Sequence, residues 1–355
     1  MAVFTTIDDS SAYFQAALYT GNSNLNTIVN DGNSDLAPDL VWGKCRSTFK
    51  THYWYDTSRG TEKRIESDNT SVEDINTNGL YIFQSDGFKL ASGNTENDNG
   101  ETYVAWQWKA NGGTTTSFSE SGNNPGGNRQ TNTAAGFSII SYTGTGANAS
   151  CALAHGLGKA PELVIFKRRN NANVWAVYHQ AIGVNEKLVL NSTDGEDADG
   201  AFMNGTIPNA TNIYVGGTSV NTNANNGTYI CYAWTSIQGY SKFGKYVGNS
   251  STDGPFVYTG FKPAFVLQKQ ISANGNGWFI TDSRRDPFNA ATGKYLRADE
   301  IGSEGTTSKI LDLLSNGFKV RNNDSAVNGS GHTYIYMAFA ENPFTTSTGV
   351  PACAR

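Results

Sequence analysis

The sequence predicts an all-β chain of three tandem β-sandwich repeats of jelly-roll or lectin-like type. Three observations carry that prediction. A proline, a short apolar run and a lysine six positions after the proline recur at Pro38–Lys44, Pro161–Lys167 and Pro263–Lys269. An aromatic run following a glycine turn recurs at Tyr103–Trp108, Tyr229–Trp234 and Tyr334–Phe339. The 39 Gly, the abundant Asn, Ser and Thr, and a charged fraction of only 16% suit short strands joined by many turns.

Proline fixes φ and donates no backbone hydrogen bond, so it suits the first residue of a strand. The runs behind it are β-branched or aromatic and too short for a helix. Upstream of each lies a half-buried strand leaving into a glycine-containing turn. Tyr19 and Tyr142 stand 19 residues before their prolines, and Tyr246 stands 17 before Pro263. Beyond the proline strand come His52 and Asp56, Trp175 and His179, Trp278 and Asp282. Arg59 and Arg285 follow in the outer copies, where the middle copy has Ile182. Because the middle copy tolerates both exchanges, the Asp–Arg pairs read as structural corners. Ser85-Asp86-Gly87-Phe88 and Ser315-Asn316-Gly317-Phe318 predict hairpins whose turn residues both take φ > 0. The middle copy keeps a degraded form around Tyr214-Val215-Gly216-Gly217. The closing aromatic strands read as core, with exposed sugar-stacking platforms as the alternative.

These landmarks divide the chain into repeat 1 with an N-terminal arm (1–112), a Gly/Asn/Ser/Thr-rich flexible linker (113–135), repeat 2 (136–238), repeat 3 (239–344) and a tail (345–355). Repeats 2 and 3, which share almost no linker, are expected to dock more tightly than repeats 1 and 2.

Several function classes are excluded. A net charge of −5 and a pI near 5.4 argue against a nucleic-acid-binding surface. No run approaches 18 apolar residues, so membrane insertion is not expected, and the first residues lack the marks of a secretory leader. Cys45, Cys151, Cys231 and Cys353 lie far apart and read as buried reduced thiols. HExxH, GxSxG, Walker A and paired CxxC motifs are all missing, and the four histidines have no ligand spacing, so no catalytic, cofactor or metal residue is assigned. Gly144-Thr145-Gly146-Ala147-Asn148-Ala149 reads as a turn, not a dinucleotide loop. Asp194, Glu196, Asp197 and Asp199 form the one concentrated acidic loop, which reads either as a Ca²⁺ site or as a solvated surface loop. The loops after each first strand differ most between copies. Asn22, Ser23, Asn24, Asn249, Ser250, Ser251 and Asp253 are therefore the expected contacts for a ligand or partner.

Tyr142-Thr143-Gly144-Thr145-Gly146, the run Ala154–Pro161, Trp175-Ala176-Val177-Tyr178-His179, the run Gly254–Phe261 and the ending Tyr334–Phe344 resemble a family of repeat-containing structural proteins of tailed bacteriophages, common in marine phage sequences. The resemblance spans roughly residues 13 to 344. It implies a virion component made in a bacterial cytoplasm, most simply a tail fibre or receptor-binding protein contacting a host surface glycan. A homo-oligomer, with a trimer favoured by analogy, and neighbouring virion proteins as partners would follow. A capsid decoration or head-fibre protein without a receptor role remains an alternative, as does a tailspike-like polysaccharide hydrolase acting through Asp56 and Asp282.

Overall fold

The computed structural model describes residues 5–351 apart from Asn94, Thr218 and Lys309, so Cys353 lies outside the described residues. Its regular secondary structure is almost entirely strand, with one α-helical turn, Ser325–Asn328, and one 3-10 turn, Ser10–Ala12. The same four-strand antiparallel order occurs three times. In unit 1 the closing strand Thr102–Trp108 lies between the first, Phe14–Thr20, and the second, Leu40–Cys45, with the third, Tyr53–Asp56, outside. Unit 2 repeats this with Phe137–Thr143, Leu163–Arg168, Trp175–His179 and Thr228–Trp234. Unit 3 does so with Ser241–Val247, Phe261–Gln270, Trp278–Asp282 and Thr333–Pro343. The registers match: Leu40 faces Trp108, Leu163 faces Trp234 and Phe265 faces Phe339. Pro38 and Pro161 precede their strands as expected. Pro263 instead sits inside its strand, where β-bulge shifts in register relieve the missing donor.

Side chains alternate between two cores, as the period of two dictates. In unit 1, Val41, Tyr53, Tyr55 and Ala105 pack outward on a small sheet carrying Ile28, Leu80, Phe88 and Leu90. Leu40, Trp42, Trp54, Trp106 and Trp108 point the other way and meet Ile165, Trp175, Tyr232 and Trp234 of unit 2 and Phe265, Trp278 and Phe339 of unit 3. Every main sheet is thus buried on both faces, which is why the proline strands read as unbroken apolar runs. The expected sandwiches exist as pairs of layers, but their inner sheets share one central core. Repeats 2 and 3 are consequently not a privileged pair; each unit touches both others.

Two local expectations change. Residues 113–135 are not a free linker: Thr116–Phe118 and Gly127–Asn132 are strands, and the latter pairs along the whole first strand of unit 2, from Gly127 opposite Tyr142 to Asn132 opposite Phe137. Backbone pairing and the buried Gln130, which donates to Thr57 Oγ1 and Ser58 Oγ at 2.7 Å each, hold this polar segment. The hairpins form, Leu80–Phe83 with Phe88–Leu90 and Leu311–Leu314 with Gly317–Val320. However, of the four turn residues only Gly87 has positive φ. Both glycines are needed for close approach, because a Cβ would lie 2.0 Å from the Ile28 carbonyl at Gly87 and 2.1 Å from that of Val257 at Gly317.

The matched lysines join the units into a closed ring. Lys167 of unit 2 donates to the Thr70 carbonyl of unit 1 at 3.1 Å. Lys269 of unit 3 donates to Thr193 of unit 2 at 2.9 Å, and Lys44 of unit 1 to Ile301 of unit 3 at 3.0 Å. Each also holds a carbonyl of its own unit, Lys50, Asn173 or Asn276. An ammonium group among carbonyls loses hydration, so burial lowers all three lysine pKa values to about 8. Rings at the next matched position cross the same seams. Trp175 Nε1 donates to the Glu66 carbonyl at 2.7 Å and Trp278 Nε1 to that of Val189 at 2.9 Å. His52 accepts from Trp42 Nε1 through Nδ1, which leaves the proton on Nε2 for the Arg297 carbonyl at 2.9 Å. Burial first, then Lys44, holds His52 neutral.

Candidate functional site

Polar concavities open on each of the three seams, and a further one lies within unit 2. The floors of the seams differ. Between units 1 and 2, Asp56 takes Arg59 Nε at 2.5 Å and the Tyr232 hydroxyl of unit 2 at 2.7 Å. Glu73 bridges Arg59 and, bidentately at 2.8 Å, Arg169 of unit 2. Between units 3 and 1, Asp282 takes Arg285 Nε at 2.5 Å and Trp106 Nε1 of unit 1 at 3.0 Å, while Glu304 bridges Arg285 and Arg46. The Asp–Arg pairs are corners, as expected, and in addition are the buried centres of two seams. The third seam, between units 2 and 3, has His179, Ile182, Ile271 and Met337 at the corresponding places. His179 Nδ1 accepts from Ala181 N–H at 3.1 Å. Burial lowers its pKa to about 4.

Above this third floor opens a groove of about 520 Å³, walled by Glu162 and Gln180 of unit 2, Ser236, and Lys242, Tyr258 and Phe344 of unit 3. The residue after the matched proline explains why it is open. In unit 1 that residue is Asp39, buried and saturated by Thr57 Oγ1 and the N–H groups of Ala110, Gly112 and Gly113. In unit 2 it is Glu162, which Ser236 holds through its hydroxyl and its backbone at the edge of solvent. Burial raises the Glu162 pKa, and burial lowers that of Lys242. Lys242 Nζ donates to the Tyr258 carbonyl at 2.7 Å and lies 5.3 Å from the Tyr258 ring centre, while 53% of Tyr258 remains exposed. A carboxyl group, an amide, a hydroxyl and an ammonium group around an accessible ring form a surface that can bind a polyhydroxylated ligand.

The residues expected as contacts do not line the grooves at this seam or at the seam between units 3 and 1. Asn22, Ser23 and Asn24 form a tight loop, with Asn97 Oδ1 accepting from Asn22 N–H at 3.1 Å and Asn97 Nδ2 donating to the Asn24 carbonyl at 2.6 Å. Asn249, Ser250 and Ser251 repeat it on Asn328, at 2.9 and 2.7 Å, with Ser23 and Ser250 both at φ 53. Asp253 pairs with Lys319 at 2.9 Å. In unit 2 Asn223 Oδ1 accepts from Thr145 N–H at 2.9 Å, so the glycine run there is a turn of the same kind. The organising asparagine stands six residues before each closing tyrosine: Asn97 and Tyr103, Asn223 and Tyr229, Asn328 and Tyr334. That spacing was readable in the sequence and was missed.

The acidic loop does not gather a cation site. Lys187 pairs with Asp197 at 2.5 Å and Asp199 at 3.3 Å, and Asp194 accepts from the Ser192 hydroxyl at 2.6 Å. Glu196 donates its N–H to the Ile271 carbonyl at 2.9 Å, as Glu73 does to Arg169 and Glu304 to Arg46, which makes it the third seam glutamate, without its arginines. Among the described residues no group of three or more His, Cys, Asp or Glu side chains could hold a metal ion. Cys45, Cys151 and Cys231 are free and buried. No helix among the described residues is long and apolar enough to cross a membrane.

Residues 9–343 match the model of a family described as a domain of unknown function, DUF7483, and the chain belongs to that family. No curated protein and no solved structure matches it.

Proposed function

We propose that this protein is a structural component of a tailed-phage virion, a tail-fibre or receptor-binding protein that holds a host surface glycan without cleaving it. On this reading the three units are duplicated copies of one β-sandwich, and the ring gives a rigid frame. The observation that carries the glycan assignment is the groove between units 2 and 3. Tyr258 offers a ring face for a sugar, and Glu162, Gln180 and Lys242 offer hydrogen-bonding groups around it. Neighbouring virion proteins are the partners on this reading. A homotrimer would show as about three times the 38.2 kDa chain mass in light scattering.

Titration of the purified protein with host surface polysaccharide tests the groove. Tyr258→Ala and Glu162→Gln are each expected to weaken binding about tenfold or more while leaving the unfolding midpoint unchanged, since stacking and charged hydrogen bonds contribute on the order of 1.5 kcal/mol each. Full binding by both variants would remove the groove from the account. Release of new reducing ends from the polysaccharide would favour the hydrolase. A second reading draws on the threefold arrangement of the ring, which suits a capsid decoration or head fibre seated on a threefold axis. Density on capsomers, away from the tail, in a particle reconstruction would select it.

A further inference from the structure

The first strand of unit 1 carries a sheet edge that the chain itself fills elsewhere. Lys109 N–H bonds the Tyr13 carbonyl and Gly21 N–H the Glu101 carbonyl, so the odd-numbered residues of Phe14–Thr20 face the closing strand. The N–H and C=O groups of Phe14, Ala16, Leu18 and Thr20 therefore point out of the sheet. Asn26 Nδ2 caps the Thr20 carbonyl at 3.0 Å. No hydrogen bond from a described residue reaches the backbone of Phe14, Ala16 or Leu18.

In unit 2 the matching groups of Phe137, Ile139 and Ser141 are taken by Gly127–Asn132, and Gln130 on that strand crosses the seam to Thr57 and Ser58. Thr57 and Ser58 follow Asp56; after Asp282 the same two places hold Ser283 and Arg284. Where unit 2 has Ile139, unit 1 has Ala16, and beside it lies a groove of about 350 Å³ lined by Phe14, Ala16, Ala264, Ser283 and Arg284. Arg284 is 44% exposed and pairs with Asp31, which lines the groove together with Asp9 and Glu341. The corresponding edge of unit 3 cannot take a strand at its centre. Ser236 Oγ accepts the Phe243 N–H at 3.3 Å, and Gln180 Nε2 donates to the Phe243 carbonyl at 2.9 Å.

We propose that the edge Phe14–Thr20 receives an extended segment of a partner protein as an added antiparallel strand, with an acidic side chain opposite Ala16 that reaches Ser283 and Arg284. Main-chain bonds to Phe14, Ala16 and Leu18 supply the attachment, and the guanidinium of Arg284 selects the acid.

The full chain is titrated with a synthetic peptide copying residues 125–133, once with Gln at the position of Gln130 and once with Glu there, and binding is followed by anisotropy and by amide hydrogen exchange. Saturable binding with slowed exchange at Ala16 and Leu18 is expected, the Glu peptide binding about tenfold more tightly, as one charge-assisted hydrogen bond allows. Ala16→Pro removes an outward N–H at a position where an edge strand tolerates proline, and should abolish binding; Leu18→Pro serves if that variant fails to fold. Arg284→Ala should erase the preference for Glu. Absence of saturable binding, protection at Ser141 in place of Ala16, or equal binding by both proline variants would overturn the proposal. So would a dimer of the unliganded chain that Ala16→Pro dissociates, because the edge would then belong to a second copy.

Discussion

The seam between units 1 and 2 and the seam between units 2 and 3 occupy equivalent places and are built from opposite materials. The first buries Asp56 and Arg59, each with a side chain fully shielded from solvent, and ties them to Tyr232, Glu73 and Arg169. In the second, His179 and Met337 line a cavity of about 10 Å³, and Ile182 and Ile271 belong to the shared apolar core. Both close the ring. The fold therefore requires a filled seam and the lysine staple above it, and the buried ion pairs are one way of filling it. They bring directional bonds at a desolvation cost that hydrocarbon avoids. The unit 2–3 seam is also where Glu162 is left facing an open groove.

Breaking one partner of a charged seam should have the largest effect. Arg285→Ala leaves Asp282 buried without its cation and should cost about 3–5 kcal/mol in chemical denaturation, whereas Ile182→Ala, its counterpart, should cost about 2–4 kcal/mol through lost packing alone. A smaller cost for Arg285→Ala than for Ile182→Ala would mean that the charged network contributes little.

Acid should weaken the apolar seam next. His179 has its pKa lowered to about 4 by burial, so the unfolded chain binds a proton first as pH falls. The stability it contributes is present above the unfolded value near 6.5 and is lost between there and pH 4, by up to about 3 kcal/mol. His179→Gln should flatten that part of the pH profile.

Alkali acts in the other direction and by less per residue. Lys44, Lys167 and Lys269 have pKa values of about 8 folded, against an unfolded value near 10.5. Above pH 8 the unfolded state carries more protons, so stability should rise, by about 1 kcal/mol per lysine at pH 9. A neutral amine keeps two N–H groups for its two carbonyls, so the staple survives deprotonation. Lys167→Met should remove one third of the rise; a midpoint that falls from pH 8 to pH 9 would contradict the assignment.

Much of this architecture was legible. The recurrent prolines, lysines and closing tyrosines stand at matching registers because each marks the same strand of the same unit. What a single sequence does not display is which unit a side chain reaches. Lys167 reads as the end of a strand, and its bond to Thr70 lies 97 residues away in the chain. The Gly127–Asn132 strand was unreadable for another reason: its residues are polar on both faces, and its order comes from backbone pairing, which leaves no hydrophobic period to detect. The groove was missed because Glu162, Lys242 and Tyr258 are each unremarkable in sequence and meet only when the ring closes.

Cooperative unfolding of the whole chain against that of an isolated unit is the most direct test of the shared core. If the three inner sheets form one interior, tryptophan fluorescence and circular dichroism of the full chain should report a single coincident transition, and residues 136–238 expressed alone should show no cooperative unfolding. Separate transitions, or a fragment that folds with the midpoint of the full chain, would contradict it.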